Sequence, residues 1–191
     1  MATERIAVHR SIEDKFIKAF KTTIDAVFPP SLPAMTLINM QSASKVRGLI
    51  ENAVKNGADH IHGPKIQDDS APSTSLRPVV LGKVDPKMDL YHEESFGPVV
   101  SVYTFETLEQ ALILANDTEY GLAGAVFTED LATGLKVAKA YATGAVHINS
   151  MSIHDEPSLP HGGVKQSGFG RFNGNQGLEE FLRTKVVTWE D

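Results

Sequence analysis

The densest run of proton-moving side chains is His154-Asp155-Glu156, with His161 following in the same polar stretch. An imidazole beside a carboxylate can act as general acid or base near neutral pH, so these four are candidate catalytic groups. The competing reading is a solvated loop whose acids cap neighbouring backbone. A second constellation is Tyr91-His92-Glu93-Glu94-Ser95-Phe96-Gly97-Pro98. In extended chain Glu94 and Phe96 point the same way, one offering hydroxyl acceptors and the other a flat face. That pairing suits a ribose beside an aromatic ring. His92 next to them is a further acid–base candidate, or else a solvent-facing turn histidine.

Three other patterns carry weaker chemistry. His60 and His62 share one side of an expected strand, but no third metal ligand lies nearby, so no metal site is expected. The glycines from Gly162 to Gly170 lack the Gly-x-x-x-x-Gly-Lys-Ser/Thr order of a phosphate loop and read as tight turning and close packing. Ser167 near Lys165 has nothing that marks it as an activated nucleophile. The chain contains Cys 0, which removes thiolate chemistry and disulfides from these 191 residues.

The elements that must position these groups alternate in type. Arg5–His9 reads as a short strand, and Phe16, Ile17, Phe20 and Ile24 recur at helical spacing behind a cap at Ser11. Pro29, Pro30 and Pro33 end that helix. A second helix starts at Ser42 or Ser44 and stops at Asn56-Gly57. Strands follow at His60–His62, Arg77–Leu81 and Val99–Phe105, with a surface loop over Gln67–Ser75 between the first two. Thr107 and Asp130 cap two further helices, each leading toward a strand, Ala123–Thr128 and Ala145–Asn149. Helices alternating with strands predict an α/β fold: a mainly parallel sheet covered by helices on both faces. Residues 1–160 form the α/β domain. Residues 161–191 hold the glycine-rich segment, a short helix over Leu178–Leu182 and a last strand over Thr184–Trp189.

A hydrophobic share of 41% and a charged share of 22% suit a globular domain with a core. The net charge of -6 gives no basic footprint for nucleic acid or an anionic membrane surface. No apolar run approaches the roughly 20 residues of a spanning helix, and Met1–Arg10 has no signal-peptide core. A cytoplasmic location is the expectation.

Four motifs in order, Tyr91–Val100, Ala115–Ala123, Gly144–Asn149 and His161–Arg171, resemble the C-terminal catalytic half of the aldehyde dehydrogenase superfamily. The run from Gly144 through His154-Asp155-Glu156-Pro157 to Gly163 looks similar to its salicylaldehyde, vanillin and benzaldehyde dehydrogenase branch. The resemblance implies NAD(P) as the family cofactor, with Glu94 holding the nicotinamide ribose and Phe96 supporting the ring. It implies that the stretch from Ser150 to His161 borders an aldehyde entrance and that the last strand joins an oligomerisation sheet whose other strands lie outside these residues. An apolar strand with unpaired N–H and C=O groups must pair elsewhere, so a homo-oligomer through that strand or an exposed sheet edge is expected. It also implies that the nucleophilic cysteine, the nucleotide-binding domain, the oxyanion-hole asparagine and the general-base glutamate belong to sequence preceding the match.

Three functions follow. The first is a truncated protein reused for a non-redox step, a cyclisation, isomerisation or dehydration, on a small carbonyl or aromatic compound. It would use His154, His161, Asp155, Glu156 and His92, with Glu94 and Phe96 as vestigial cofactor residues and no cofactor for this chain alone. The second is a fragment of an NAD(P)-dependent aromatic aldehyde dehydrogenase. The third is a non-catalytic binding or assembly partner.

Overall fold

A computed structural model describes residues 2–65 and 74–191. The chain divides into two compact units, Met1–Thr118 and Glu119–Asp191. The division falls at 118/119, whereas the sequence reading set it at 160/161.

In the first unit β1 (Arg5–His9), α1 (Glu13–Val27), β2 (Met35–Thr36), α2 (Met40–Lys55), β3 (Asp59–His62), β4 (Ser75–Leu76), β5 (Val79–Gly82), α3 (Asp89–His92), β6 (Val99–Phe105) and α4 (Leu108–Asn116) follow in order. Its main sheet has the order β1-β6-β5-β3. β1 and β5 both run parallel to β6, and β3 closes the far edge antiparallel to β5. β2 and β4 form a separate antiparallel pair. Period-two alternation sends the strands' apolar residues to opposite faces. Val8, Val80 and Val102 pack with Phe16, Ile17, Phe20 and Ile24 of α1 on one face. Val79, Leu81 and Val99 pack with Val46, Leu49 and Ile50 of α2 and with Leu90 and Tyr91 of α3 on the other. Helices therefore cover both faces of a mostly parallel sheet.

Local chemistry explains the ends. The Asn39 side chain accepts from the Ser42 amide, so α2 begins ahead of the expected serines. Gly57 follows its C-cap at φ 105, the left-handed position that favours glycine. Thr107 and Gln110 form a reciprocal capping box on α4. Ser11 lies instead in a 3-10 turn, its amide donating to the His9 ring. Gly97 is required by packing, because a Cβ there would stand 2.5 Å from Val46 Cγ2.

The second unit contains β7 (Tyr120–Gly121), β8 (Ala123–Val126), α5 (Leu131–Ala140), β9 (Ala145–Ile148), β10 (Val164–Lys165) and α6 (Gly174–Glu179). β8 and β9 pair in parallel across α5, and β10 pairs antiparallel with β7. Both Asp130 carboxylate oxygens cap α5, at Ala132 and Thr133. A Cβ on Gly144 would meet the Gly162 carbonyl oxygen at 1.8 Å, so that approach of two backbones admits only glycine.

At the C-terminus the single chain shows no strand where one was expected. Thr184–Trp189 carries no strand, and Val186, Val187 and Trp189 are exposed. A strand exists through its ladder partner, and among the described residues none pairs with this segment. The short helix lies earlier than expected, at Gly174–Glu179. The loop expected over 67–75 falls mostly outside the described residues; Ser75 belongs to β4.

Leu81 is fully buried within the first unit's sheet, so truncating it removes packed apolar volume and leaves a cavity. Leu81→Ala is expected to lower unfolding free energy by about 2–5 kcal/mol in chemical denaturation, with the midpoint shifted and the slope unchanged.

Candidate functional site

In the first unit the candidate residues sit in the loop between α3 and β6. Ser95 is buried at 2% exposure, and its amide and hydroxyl both donate to Glu4 Oε1, at 2.8 and 2.9 Å. The Phe96 amide donates to the same oxygen at 3.2 Å. Phe96 takes φ 50 and leaves its ring 78% exposed. The premise of an extended chain through Glu94 and Phe96 therefore fails, because one carboxylate draws two successive amides toward itself and bends the backbone into the left-handed region. Glu94 is half-buried, and its carboxyl is raised above its ordinary value by burial first and by Glu4 second, against the pull of Lys45. Lys45 donates to the Glu94 carbonyl at 3.0 Å and pairs with Glu93 at 3.1 Å.

Behind this loop, Arg5 stacks 4.4 Å above the Tyr91 ring and donates to the carbonyls of Tyr91 and Asp117. The Tyr91 hydroxyl donates to Asp117 at 2.5 Å, and burial with that carboxylate pushes its pKa up to about 12. His92 meets the carbonyl of Pro86 through Nε2 at 2.9 Å, the contact of a turn histidine.

In the second unit, His154, Asp155, Glu156 and His161 lie in one connected region with a residue the sequence reading passed over as a candidate, His147. The His147 and His154 rings are 5.0 Å apart, and His154 Nε2 lies 3.0 Å from Glu156 Oε1. His161 is buried, its backbone bridged to Phe172 by two hydrogen bonds of 2.8 Å and its ring 5.1 Å from the Phe172 ring. Asp155 accepts from the Asn173 side chain at 2.7 Å, which makes it a loop brace. Among the described residues His147 Nε2 is buried without a hydrogen-bond partner. Its pKa is lowered by burial first, then by the nearby His154 and His161. Within this unit the geometry offers one imidazole whose pKa is lowered, one imidazole paired with a carboxylate, and one packed against Phe172. His147 could have been suspected from its place on β9, where an imidazole interrupts an otherwise small and aliphatic strand.

The remaining motifs resolve structurally. A bulge separates His60 from His62; His60 faces the Pro64 carbonyl and His62 pairs with Asp25 at 2.8 Å. Among the described residues no group of three or more His, Cys, Asp or Glu is arranged to hold a metal. Ser167 accepts from the Gly121 amide at 3.0 Å, a turn contact. No described helix is long and apolar enough to cross a membrane.

A mostly parallel sheet clothed by helices, with a carboxylate-braced loop entering its central strand, defines a mixed α/β protein. The aldehyde dehydrogenase family model matches residues 1–187, and the chain belongs to that family. It is 35% identical over 196 residues to a vanillin dehydrogenase of Pseudomonas fluorescens, covering 100% of this chain and 40% of that protein. It is 36% identical to a benzaldehyde dehydrogenase of Bacillus subtilis, covering 98% of this chain and 39% of the relative. The chain thus spans about two fifths of the length of these relatives. A salicylaldehyde dehydrogenase from Pseudomonas putida G7, solved with salicylaldehyde, superimposes with a TM-score of 0.85 at 28% identity, over 98% of this chain and 40% of its own. None of these relatives supports a non-redox role.

The histidine cluster has a pH consequence. A His147 pKa below the ordinary value of 6.5 means that the unfolded chain takes up its proton first as pH falls. Stability is then unaffected by this residue above that value and declines as pH drops below it. Denaturation at pH 7.5 and pH 5.5 should show a loss of stability on acidification that shrinks in His147→Gln, and the ring protons of His147 should titrate below 6.5 by NMR.

Proposed function

We propose that this chain is the C-terminal catalytic portion of an NAD(P)-dependent aldehyde dehydrogenase acting on aromatic aldehydes, and that it works joined to a segment supplying a nucleophilic cysteine and a nucleotide-binding domain. The observation that carries the reading is the Glu94–Phe96 loop: a half-buried carboxylate and an exposed aromatic ring, with the loop's amides already satisfied by Glu4. An acceptor carboxylate and an aromatic ring are the residue types a nicotinamide ribose needs, here on a bent backbone. Glu94 would accept from its hydroxyls and Phe96 would support the ring. NAD(P) bound there supplies hydride acceptance, which no side chain can provide.

The aromatic preference is supported by identity to vanillin and benzaldehyde dehydrogenases, and the region from His147 to His161 adds imidazole faces alongside exposed Met151, Ile153 and Leu159. Thiolate chemistry is outside this chain's reach, because it contains Cys 0. Family membership together with the loop geometry favours this reading over a non-redox reuse of His154, His161, Asp155, Glu156 and His92.

The test is a fusion of this chain behind the N-terminal portion of the Pseudomonas fluorescens vanillin dehydrogenase. NADH formation with benzaldehyde or vanillin is expected from the fusion and not from the 191-residue chain. Glu94→Ala in the fusion should weaken NAD+ binding about ten-fold, the equivalent of one lost charge-assisted hydrogen bond of roughly 1.4 kcal/mol. A soluble fusion without aldehyde oxidation, or cofactor-free turnover of these aldehydes by the chain alone, counts against the reading.

A further inference from the structure

Glu4 belongs to none of the motifs that marked the site. It directly precedes β1, and its backbone carbonyl accepts from the Ser101 amide of β6 at 2.9 Å. That bond fixes its main chain beside the central strand. Its side chain then reaches the loop that feeds β6 and takes three donors on one oxygen: the Ser95 amide, the Ser95 hydroxyl and the Phe96 amide. Among the described residues no other acceptor serves the two amides, and Ser95 is too buried to exchange Glu4 for water. A phenylalanine at φ 50 is disfavoured by its own Cβ and persists only where its surroundings over-determine it. Two amides converging on one carboxylate provide that determination. The closeness of the two acids also registers on Glu94, whose carboxyl Glu4 helps to raise.

We propose that Glu4 is the positioning residue of the Glu94–Phe96 loop. Its carboxylate holds Phe96 in the left-handed conformation and so presents the Glu94 carboxyl and the Phe96 ring to a nicotinamide ribose. The second half of this statement rests on the nucleotide reading above; the first half does not. Because Glu4 is anchored to β6 through its backbone, any displacement of β1 moves the loop as well. The segment preceding β1 is thereby coupled to the ribose contact.

The experiment uses the 191-residue chain and nicotinamide mononucleotide, a probe that carries only the ribose, its phosphate and the nicotinamide ring. In Glu4→Ala the Ser95 and Phe96 amides are expected to exchange with solvent about ten-fold faster or more, and the Phe96 HN–Hα coupling is expected to change, with the Val80 and Val102 amides unaltered. Glu4→Gln, which keeps an acceptor oxygen, should restore most of the protection. In the wild type the mononucleotide should shift the Ser95, Phe96 and Gly97 amide signals, and Glu4→Ala should weaken that binding about ten-fold. If the wild type binds the probe and Glu4→Ala leaves exchange, coupling and affinity unchanged, the positioning role is overturned while the nucleotide reading stands. If the loop loosens in Glu4→Ala but the wild type shows no shift with the probe, the positioning role holds and the nucleotide reading falls. If Glu4→Ala disturbs Val80 and Val102 equally, Ser95→Ala, which removes the hydroxyl that donates to Glu4 and accepts from the Gly97 amide, must show a partial loss of Phe96 protection for the role to survive.

Discussion

The first unit depends on a parallel pairing between residues ninety-odd positions apart in the chain. β1 lies against β6 in a register that sets Arg5 opposite Ser101 and His9 opposite Phe105. A parallel ladder demands a long crossover, and here the intervening chain supplies α1 for one face and α2 and α3 for the other. Once that register is set, Val8 falls beside Val102 on the α1 face and Arg5 arrives over Tyr91 on the opposite face. A slip of one residue would reverse both, burying the guanidinium against α1 and removing the valine from its cluster.

The same register governs the chemistry. Glu4 reaches Ser95 only because Arg5 is paired at Ser101, and the loop's bent backbone follows from that carboxylate. Site and fold are in this respect one construction: the hydrogen bond joining Glu4 to Ser101 is part of the sheet, and the side chain of the same residue is part of the site. Gly97 adds the steric counterpart, since the loop lies against Val46 too closely for a side chain at that position.

The second unit is organised by close backbone approach. Gly144 and Gly162 touch where a Cβ would collide, so the chain leaving α5 runs directly against the strip before β10. His147 lies three residues beyond Gly144 and His161 one residue before Gly162, and this contact is what brings the two histidines near each other. The Nε2 of His147 is buried without a hydrogen-bond partner among the described residues, and burial together with the neighbouring His154 and His161 lowers its pKa.

Much of this was legible in the sequence because it is local. The apolar stripe from Phe16 to Ile24, the caps at Thr107 and Asp130, the Asn56-Gly57 stop and the apolar run of Val99–Phe105 report short-range rules of helix, turn and strand. The motifs around Glu94, Gly144 and His161 were legible as a family resemblance, and they led to the residues that the structure places in the loop and in the histidine region. Three features escaped. Glu4 and His147 carried no reading of their own in the sequence, and Thr184–Trp189 read as a strand. Their states depend on partners far away in the chain, or on the lack of one among the described residues.

The sequence by itself therefore determined the alternation of elements, the family, and the absence of a thiol from these 191 residues. Only the tertiary structure decided which acid braces the Glu94–Phe96 loop, which imidazole has its pKa lowered, and that the last apolar stretch takes no strand geometry here. The physical reason is that propensity and periodicity act over a few residues, whereas a hydrogen bond from residue 95 to residue 4, or a collision between residues 144 and 162, exists only after the chain has closed on itself.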